Sequence, residues 1–186
     1  GAMPGVIGTI EYRGPGLRAQ AGRTTPEASD LQAMLRTTLD AGATHCLMEV
    51  SSHALELKRV WGVSFDVAVF TNLSGEHLDY HRSMENYFEA KRKLFYLNHK
   101  RIASVVNMDD PWGQRLVAEL PLKTVTFGFE PAAIVRALRS NVTDDGMDLQ
   151  IAHPGNILAV HSRLVGKHNV SNILAATAAA LPLNVS

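Results

Sequence analysis

Several side chains in this sequence have a type and position that could support metal chemistry. Glu49 ends an apolar run, and a carboxylate at the carboxyl end of a strand is well placed to hold Mg²⁺. A later polar loop, residues 74–81, contains two histidines and two acids, among them His77 and Asp79, and this composition could also bind a metal ion. Solvent-facing polar groups often look like this as well, so neither pattern decides the function alone.

Lys91 lies on the apolar face of a predicted helix. Tyr87, Phe88, Leu94 and Phe95 are each three or four positions away, so they share this face with the lysine. A lysine on a buried face either extends its charge to water or has a depressed pKa. The neutral amine of the second case is nucleophilic and can take up CO₂ as a carbamate, which would offer a metal ion a new oxygen ligand.

Other side chains near predicted helix starts could bind ligands. Thr24 and Thr25 precede a helix, where Thr25 can cap the helix or the pair can hold an anionic substrate beside the amide dipoles. Arg59 has the fork geometry for a phosphate or carboxylate, although most exposed arginines bind nothing specific. His168 and Asn169 precede the last helix, and a cap at Asn169 and an adenine clamp are the two interpretations.

The elements that must position these side chains alternate along the chain, which is typical of an α/β domain with a mainly parallel sheet flanked by helices. Buried strands are predicted at Val6–Ile10, Cys46–Val50, Val67–Leu73, Ile102–Asn107 and Thr124–Phe127. Helices are predicted from a cap at Thr25 to a stop at Gly42, from Ser83 to about Leu97, from Pro111 to Leu120, and from Asn169 to Leu181. The pattern from Arg136 to Val165 predicts antiparallel hairpins added at one edge.

The composition excludes several classes of protein. The 186 residues fit one domain, or one domain and a fragment, with 18 basic and 18 acidic side chains, so no charge excess favours nucleic acid or an anionic membrane. No apolar run approaches the roughly 18 residues of a membrane span. The single cysteine, Cys46, favours a reducing, cytoplasmic setting. We interpret residues 1–3 as a remnant of tag cleavage and residues 4–186 as the domain.

Seven stretches form a long, ordered pattern that covers almost the whole chain. They are Thr24-Thr25-Pro26-Glu27, Met48-Glu49-Val50-Ser51-Ser52-His53-Ala54-Leu55, Phe70-Thr71-Asn72-Leu73, His77-Leu78-Asp79-Tyr80-His81, Tyr87-Phe88-Glu89-Ala90-Lys91 through Leu94-Phe95, Asn107-Met108-Asp109-Asp110, and Gly166-Lys167-His168-Asn169-Val170-Ser171-Asn172. This pattern resembles the central domain of the Mur ligase family, whose fold is similar to that of the P-loop NTPases. Within the family it resembles the MurE branch, which adds the third amino acid to UDP-N-acetylmuramoyl-L-Ala-D-Glu.

The resemblance implies a role for each matching side chain. It implies a Mg²⁺ site made by Glu49, His77 and a carbamylated Lys91, with His77 and Lys91 as catalytic residues. It implies substrate binding by Thr24, Thr25, Ser51 and Arg59, and ATP binding by Asn72, His168, Asn169 and Asn172, the last three on the adenine side. In the implied reaction, ATP phosphorylates the D-Glu side-chain carboxylate, and the amine of diaminopimelate or lysine then attacks the acyl phosphate. The expected parent is a monomer that contacts neither nucleic acid nor membrane.

One departure from the family concerns the ATP phosphates. The sequence contains no Gly-x-Gly-Lys-Thr loop, which the family places just upstream of Val6. We therefore expect a central domain that is truncated at its N-terminal strand–loop unit and lacks the family's N- and C-terminal domains. Such a chain should be inactive alone, and the missing strand could favour non-native self-association.

Two alternative functions remain open from the sequence. One is a non-catalytic module that binds the UDP-sugar peptide. The other is a ligase similar to folylpolyglutamate synthase, against which the Thr24-Thr25-Pro26 and Ser51-Ser52-His53 motifs argue.

Overall fold

The structure is a computed structural model that describes residues 3–76, 78–97, 103–120 and 124–183. The chain divides into two compact units. Unit one comprises Gly1–Ser64 and His77–Leu97, and unit two comprises Phe65–Glu76 and Asn98–Ser186. Within the described ranges, no helix is both long and apolar enough to cross a membrane.

Unit one contains a small mixed sheet. Its strands are β1 (Pro4–Ile7), β2 (Glu11–Gly14), β3 (Leu17–Gln20) and β4 (His45–Met48). They lie in the order β3-β2-β1-β4, with β1 parallel to β4 and antiparallel to β2. Because β1 and β4 are parallel and in register, with Ile7 opposite Met48, their carboxyl ends lie side by side.

The hairpin of β2 and β3 is absent from the sequence prediction, which placed all strands in one mainly parallel sheet. Pro15 and Gly16 form its two-residue turn, where proline fixes φ and Gly16 adopts a φ of +67°. The prediction that Cys46–Val50 forms a buried strand is also wrong. His45, Cys46 and Leu47 are exposed because β4 is the edge strand of this sheet.

The helices of unit one pack around a core in which Ile7, Leu31, Val60 and Phe88 are fully buried. These helices are α1 (Ala28–Asp40), α2 (Ser52–Glu56), α3 (Leu78–His81) and α4 (Met84–Arg92), followed by a 3₁₀ turn at Lys93–Tyr96. The prediction for α4 is confirmed, since its N-cap Ser83 accepts a hydrogen bond from the Asn86 amide.

Unit two contains a six-stranded sheet. Its strands are β5 (Val67–Phe70), β6 (Ala103–Asn107), β7 (Thr124–Gly128), β8 (Val135–Thr143), β9 (Gly146–His153) and β10 (Asn156–Ser162). They lie in the order β10-β9-β8-β7-β6-β5, parallel from β5 to β8 and antiparallel from β8 to β10. The predicted fold class, a mainly parallel sheet with an antiparallel extension at one edge, is confirmed in this unit.

Helices α5 (Pro111–Glu119) and α6 (Lys167–Ala180) belong to unit two, and a 3₁₀ turn at Leu181–Leu183 follows α6. Helix α6 places Val170, Leu174 and Ala178 in the core of the sheet, one turn apart from each other. The helix begins before Asn169, so the interpretation of Asn169 as its cap is wrong. Gly166 occupies that position with a φ of +87° and no side-chain hydrogen bond.

Candidate functional site

Glu49 directly follows β4 and continues its pairing with β1, since the Glu49 amide donates to the Ile7 carbonyl at 2.9 Å. Its side chain is exposed, and Oε2 accepts hydrogen bonds from both the backbone N–H (3.3 Å) and the hydroxyl (2.5 Å) of Thr9. The Thr9 hydroxyl also lies 3.1 Å from the Thr24 hydroxyl. The adjacent ends of β1 and β4 therefore bring Glu49, Thr9 and Thr24 together.

Thr25 fixes the loop that carries Glu49. Its side chain is buried, and the hydroxyl donates to the Glu49 carbonyl (2.9 Å) and accepts from the Ser51 amide (3.1 Å). The prediction that Thr25 caps α1 is wrong, because the N-cap is Glu27 and no side chain bonds the helix start there. The hydroxyl bonds backbone groups 24 and 26 residues away instead.

Ser51 and Ser52 lie at the start of α2. Ser51 is the N-cap of this helix, where its hydroxyl accepts from the Ala54 amide at 3.2 Å. The buried hydroxyl of Ser52 lies 2.8 Å from Nε2 of His81, which is also buried and stacks on the Tyr87 ring at 4.8 Å between centroids. These contacts join α2 to α3 and α3 to α4.

Arg59 lies against the same segment as the two threonines. Its guanidinium forms an ion pair with Glu27 (3.1 Å) and donates a hydrogen bond to the Thr25 carbonyl (3.4 Å). Only 12% of the side chain is exposed, and within the described residues its Nε has no hydrogen-bond partner. Arg59 is therefore not a freely exposed arginine, since it holds Thr25 and Glu27 in place.

Lys91 lines a cavity of about 180 Å³ in unit one. The other lining residues are Thr24, Glu49, Val50, Ser51, Ser52 and Tyr87. The lysine is half-buried, and its ammonium lies 5.0 Å from the centre of the Tyr87 ring. Four residues to which the sequence assigned a site role, Thr24, Glu49, Ser51 and Lys91, thus surround one cavity, while His77 lies outside the described residues.

Asn72 belongs to unit two, where it follows β5 with its side chain exposed. Backbone groups on both sides of it are held by hydrogen bonds. The buried Asn107 donates from Nδ2 to the Thr71 carbonyl (2.8 Å), and the Leu73 amide donates to Oδ2 of Asp110 (2.9 Å). Asp110 also caps α5 by accepting from the Trp112 amide. Asn72 therefore projects from a loop that is fixed at both ends.

The first two turns of α6 carry the remaining side chains to which the sequence assigned ATP binding. Asn169 donates from Nδ2 to the Val165 carbonyl at 2.8 Å, and Asn172 donates to Oδ1 of Asn169 at 3.0 Å. The N-cap, Gly166, supplies no side-chain hydrogen bond to the helix start, and the imidazole of His168 and the amide of Asn172 are exposed beside it.

Comparison with known proteins shows the family of this chain. Residues 2–180 match the family model described as the Mur ligase middle domain. The chain belongs to the Mur ligase family. A UDP-N-acetylmuramoyl-L-alanyl-D-glutamate–2,6-diaminopimelate ligase from Geobacter metallireducens is 46% identical over 97% of this chain. The chain spans 37% of the length of that relative.

Solved structures of Mur ligases share the fold. A structure of a UDP-N-acetylmuramoyl-L-alanyl-D-glutamate–2,6-diaminopimelate ligase has a TM-score of 0.88 at 31% identity and covers all of this chain and 38% of its own. A MurF ligase from Thermotoga maritima in complex with ADP has a TM-score of 0.66 at 19% identity, covering 76% of this chain and 33% of its own. The second likeness concerns the fold alone, and the ligand of that Mur ligase, ADP, is an adenine nucleotide.

The chemistry of the unit-one cavity fits the Mg²⁺ ion that the Mur ligase resemblance implies. Oε1 of Glu49 accepts no hydrogen bond from the described residues, so one carboxylate oxygen is left for a cation. Mg²⁺ takes one or two protein carboxylates together with waters and phosphate oxygens. No group of three or more His, Cys, Asp or Glu side chains suited to a metal occurs within the described ranges. Glu49 therefore needs a further ligand.

The sequence interpretation missed Thr9, Asn107 and Asp110. Thr9 follows β1, and the parallel pairing of β1 with β4 is the signal that could have placed it beside Glu49. Asn107 and Asp110 stand in a motif that resembles the Mur ligases, but the sequence assigned them no role. Asp110 precedes Pro111, and an aspartate before a proline is a helix-start signal that could have identified it as a cap.

Proposed function

We propose that this chain is the central part of an ATP-dependent ligase that adds the third amino acid to UDP-N-acetylmuramoyl-L-Ala-D-Glu during peptidoglycan synthesis. One observation carries the proposal: Thr24, Glu49, Ser51 and Lys91, which the family resemblance singled out, line a single cavity. The 46% identity to a ligase that is named for this substrate supports it. Because that relative is named for 2,6-diaminopimelate, we favour this amino acid over lysine.

We assign the peptide end of the substrate to the hydroxyl side of the cavity. Thr24 and Ser51 line the cavity, and each carries a hydroxyl group that can bond a carboxylate. Arg59 and Thr25 support this side by fixing the backbone on which those hydroxyls stand. This arrangement suits the carboxylate of D-Glu, which must be held in one orientation to be phosphorylated.

We assign the transferring phosphate to the side of Glu49 and Lys91. A bound Mg²⁺ would offset the charge of the phosphoryl group during transfer. Glu49 would hold it through a carboxylate oxygen, and Lys91, once carbamylated, would add a second oxygen ligand from the wall formed by α4. The Tyr87 ring beside Lys91 limits where its side chain can extend. We assign the metal role of His77 from the family resemblance alone.

We assign the adenine of ATP to unit two, where Asn72 projects from a fixed loop and His168, Asn169 and Asn172 lie on the first two turns of α6. The ADP complex of the Thermotoga maritima MurF ligase supports an adenine nucleotide as the ligand. The sequence contains no Gly-x-Gly-Lys-Thr loop to hold the phosphates. We therefore expect no ATP hydrolysis by this chain alone, and we place the complete enzyme in the cytoplasm, where ATP is available.

A chimera tests the proposed function. Residues 4–183 would replace the matching central part of the Geobacter metallireducens ligase, and ADP release would be measured with the UDP-muramoyl dipeptide and either diaminopimelate or lysine. We expect activity that requires both the dipeptide and an amino acid. A folded chimera that binds the dipeptide but never releases ADP would favour the non-catalytic binding module. Folate-dependent ADP release would favour the ligase similar to folylpolyglutamate synthase.

A further inference from the structure

We propose that Thr9 is a positioning residue that holds the Glu49 carboxylate so that one defined oxygen faces the cation. Thr9 donates two hydrogen bonds, from its backbone N–H and its hydroxyl, and both reach the same oxygen, Oε2. Oε1 accepts none from the described residues. This inference rests on the proposed metal-binding role of Glu49.

The direction of the hydroxyl protons supports this role. An ionised carboxylate only accepts hydrogen bonds, so the proton of the Thr9 hydroxyl must point to Glu49. In the 3.1 Å contact between the two threonines, Thr24 is then the donor and the Thr9 oxygen the acceptor. Thr9 thus links a carboxylate proposed to hold Mg²⁺ to a hydroxyl proposed to hold the substrate. A hydroxyl bonded to a carboxylate forms a stronger bond than one between neutral groups.

Gly8 leaves room for the carboxylate beside the end of β1. A Cβ added at Gly8 would lie 2.9 Å from Oε1 and 3.2 Å from the carboxyl carbon of Glu49. A glycine at position 8 therefore avoids a clash with the Glu49 carboxylate, and Thr9 supplies the two hydrogen-bond donors. The Thr9 donors orient Glu49, and they are not needed for the core, since Thr9 is exposed.

Binding of Mn²⁺ alone to the chain, followed by electron paramagnetic resonance, tests the proposal. Hydrogen-bond partners of ligating carboxylates typically contribute 10- to 100-fold to metal affinity, and Thr9→Val retains the backbone donor, so we expect about a tenfold loss. Thr9→Ser retains the hydroxyl and should bind like the wild type. Gly8→Ala should also weaken binding, because the added methyl group displaces Oε1. Thr37→Val serves as the matched control, because it removes a hydroxyl whose one partner among the described residues is the Ala33 carbonyl of α1.

Glu49→Gln distinguishes the proposed role of Thr9 from the proposed metal-binding role of Glu49. If Glu49→Gln weakens Mn²⁺ binding while Thr9→Val binds like the wild type, the role of Thr9 is overturned and that of Glu49 stands. If Glu49→Gln binds Mn²⁺ like the wild type, or if the wild-type chain binds none, both are overturned. Thermal unfolding of Thr9→Val should match the wild type, since a purely structural role would lower the melting temperature together with the affinity.

Discussion

The loop after β4 and the loop after β5 are both held by hydrogen bonds from side chains, but the side chains differ. Each loop follows a parallel strand. Hydrogen bonds hold the backbone on both sides of Val50 in the first loop and of Asn72 in the second. In unit one, the single hydroxyl of Thr25 accepts from the Ser51 amide and donates to the Glu49 carbonyl. In unit two, two side chains divide the task, with Asn107 bonding residue 71 and Asp110 bonding residue 73.

The difference lies in what else each anchoring group does. Thr25 is 1% exposed and comes from a segment that also carries Thr24, so the proposed substrate side and the proposed metal side of the cavity share one anchor. Asp110 also caps α5, so the loop of Asn72 is tied to a helix start. We therefore expect changes in the first loop to affect chemistry and stability together, and changes in the second to affect nucleotide binding more selectively.

The largest expected effect is that of Lys91→Ala in the full-length chimera. If Lys91 carries a carbamate that binds Mg²⁺, its loss removes charge stabilisation of the phosphoryl group and should lower kcat by on the order of 10²-fold or more. A short carboxylic acid added to the assay should partly restore ADP release, because it supplies the missing oxygens.

Lys93→Ala is the matched control for Lys91. Lys93 follows α4 and forms an exposed ion pair with Glu56 at 2.7 Å, away from the lining of the cavity. Its replacement should leave kcat unchanged. Full activity of Lys91→Ala, or rescue of both variants by the acid, would contradict the assigned role of Lys91.

Thr25→Val tests the single anchor of the first loop. Valine has nearly the shape of threonine but leaves the Ser51 amide and the Glu49 carbonyl without their partner, and an unsatisfied buried group costs about 1–3 kcal/mol. The free energy of unfolding in urea should fall by roughly 2–4 kcal/mol. Thr25→Ser retains both hydrogen bonds and should lose about 1 kcal/mol for the methyl group. Equal losses in the two variants would show that the hydroxyl does not hold the loop.

Asp110→Asn and Asp110→Ala separate the two tasks of the second anchor. Asparagine remains a good N-cap, so this variant retains the start of α5 but has only one acceptor oxygen. Alanine loses the cap as well, and its free energy of unfolding should be lower by about 1–2 kcal/mol. Hydrogen exchange of the Leu73 amide should accelerate in both variants, and exchange of the Trp112 amide only in the alanine variant. Protection of Leu73 in both would mean that Asp110 does not fix the loop.

The sequence predicted the elements whose signals are local. The apolar face of α4, the stop after α1 and the antiparallel extension after residue 135 follow from spacing and turn residues within a few positions. The same local reasoning placed Glu49 and Asn72 at the carboxyl ends of predicted strands and Lys91 on the apolar face of a helix, where the structure has it half-buried. These positions could be predicted because parallel strands end at the same edge of a sheet.

The features that could not be predicted depend on contacts between residues far apart in the sequence. A threonine before a helix is a good cap, and nothing local indicates that the Thr25 hydroxyl bonds groups 24 and 26 residues away. The exposure of β4 was missed for a similar reason, since an apolar run does not reveal whether its strand lies at an edge. Only the Pro15-Gly16 turn had a local signal that could have shown the hairpin of β2 and β3.

Ser51→Ala should have the smallest effect on stability. This variant tests whether the first loop also binds the substrate. The Ser51 amide donates to Thr25 and is retained in alanine, while the hydroxyl that caps α2 is lost. The cap contributes about 1 kcal/mol to the free energy of unfolding. If the hydroxyl also holds the substrate, the KM for the UDP-muramoyl dipeptide should rise in the chimera, with the KM for ATP unchanged. Ser83→Ala removes the equivalent cap of α4 and should cost similar stability without changing either KM. A matched rise in KM for both serine variants would assign the effect to helix capping and remove Ser51 from the substrate site.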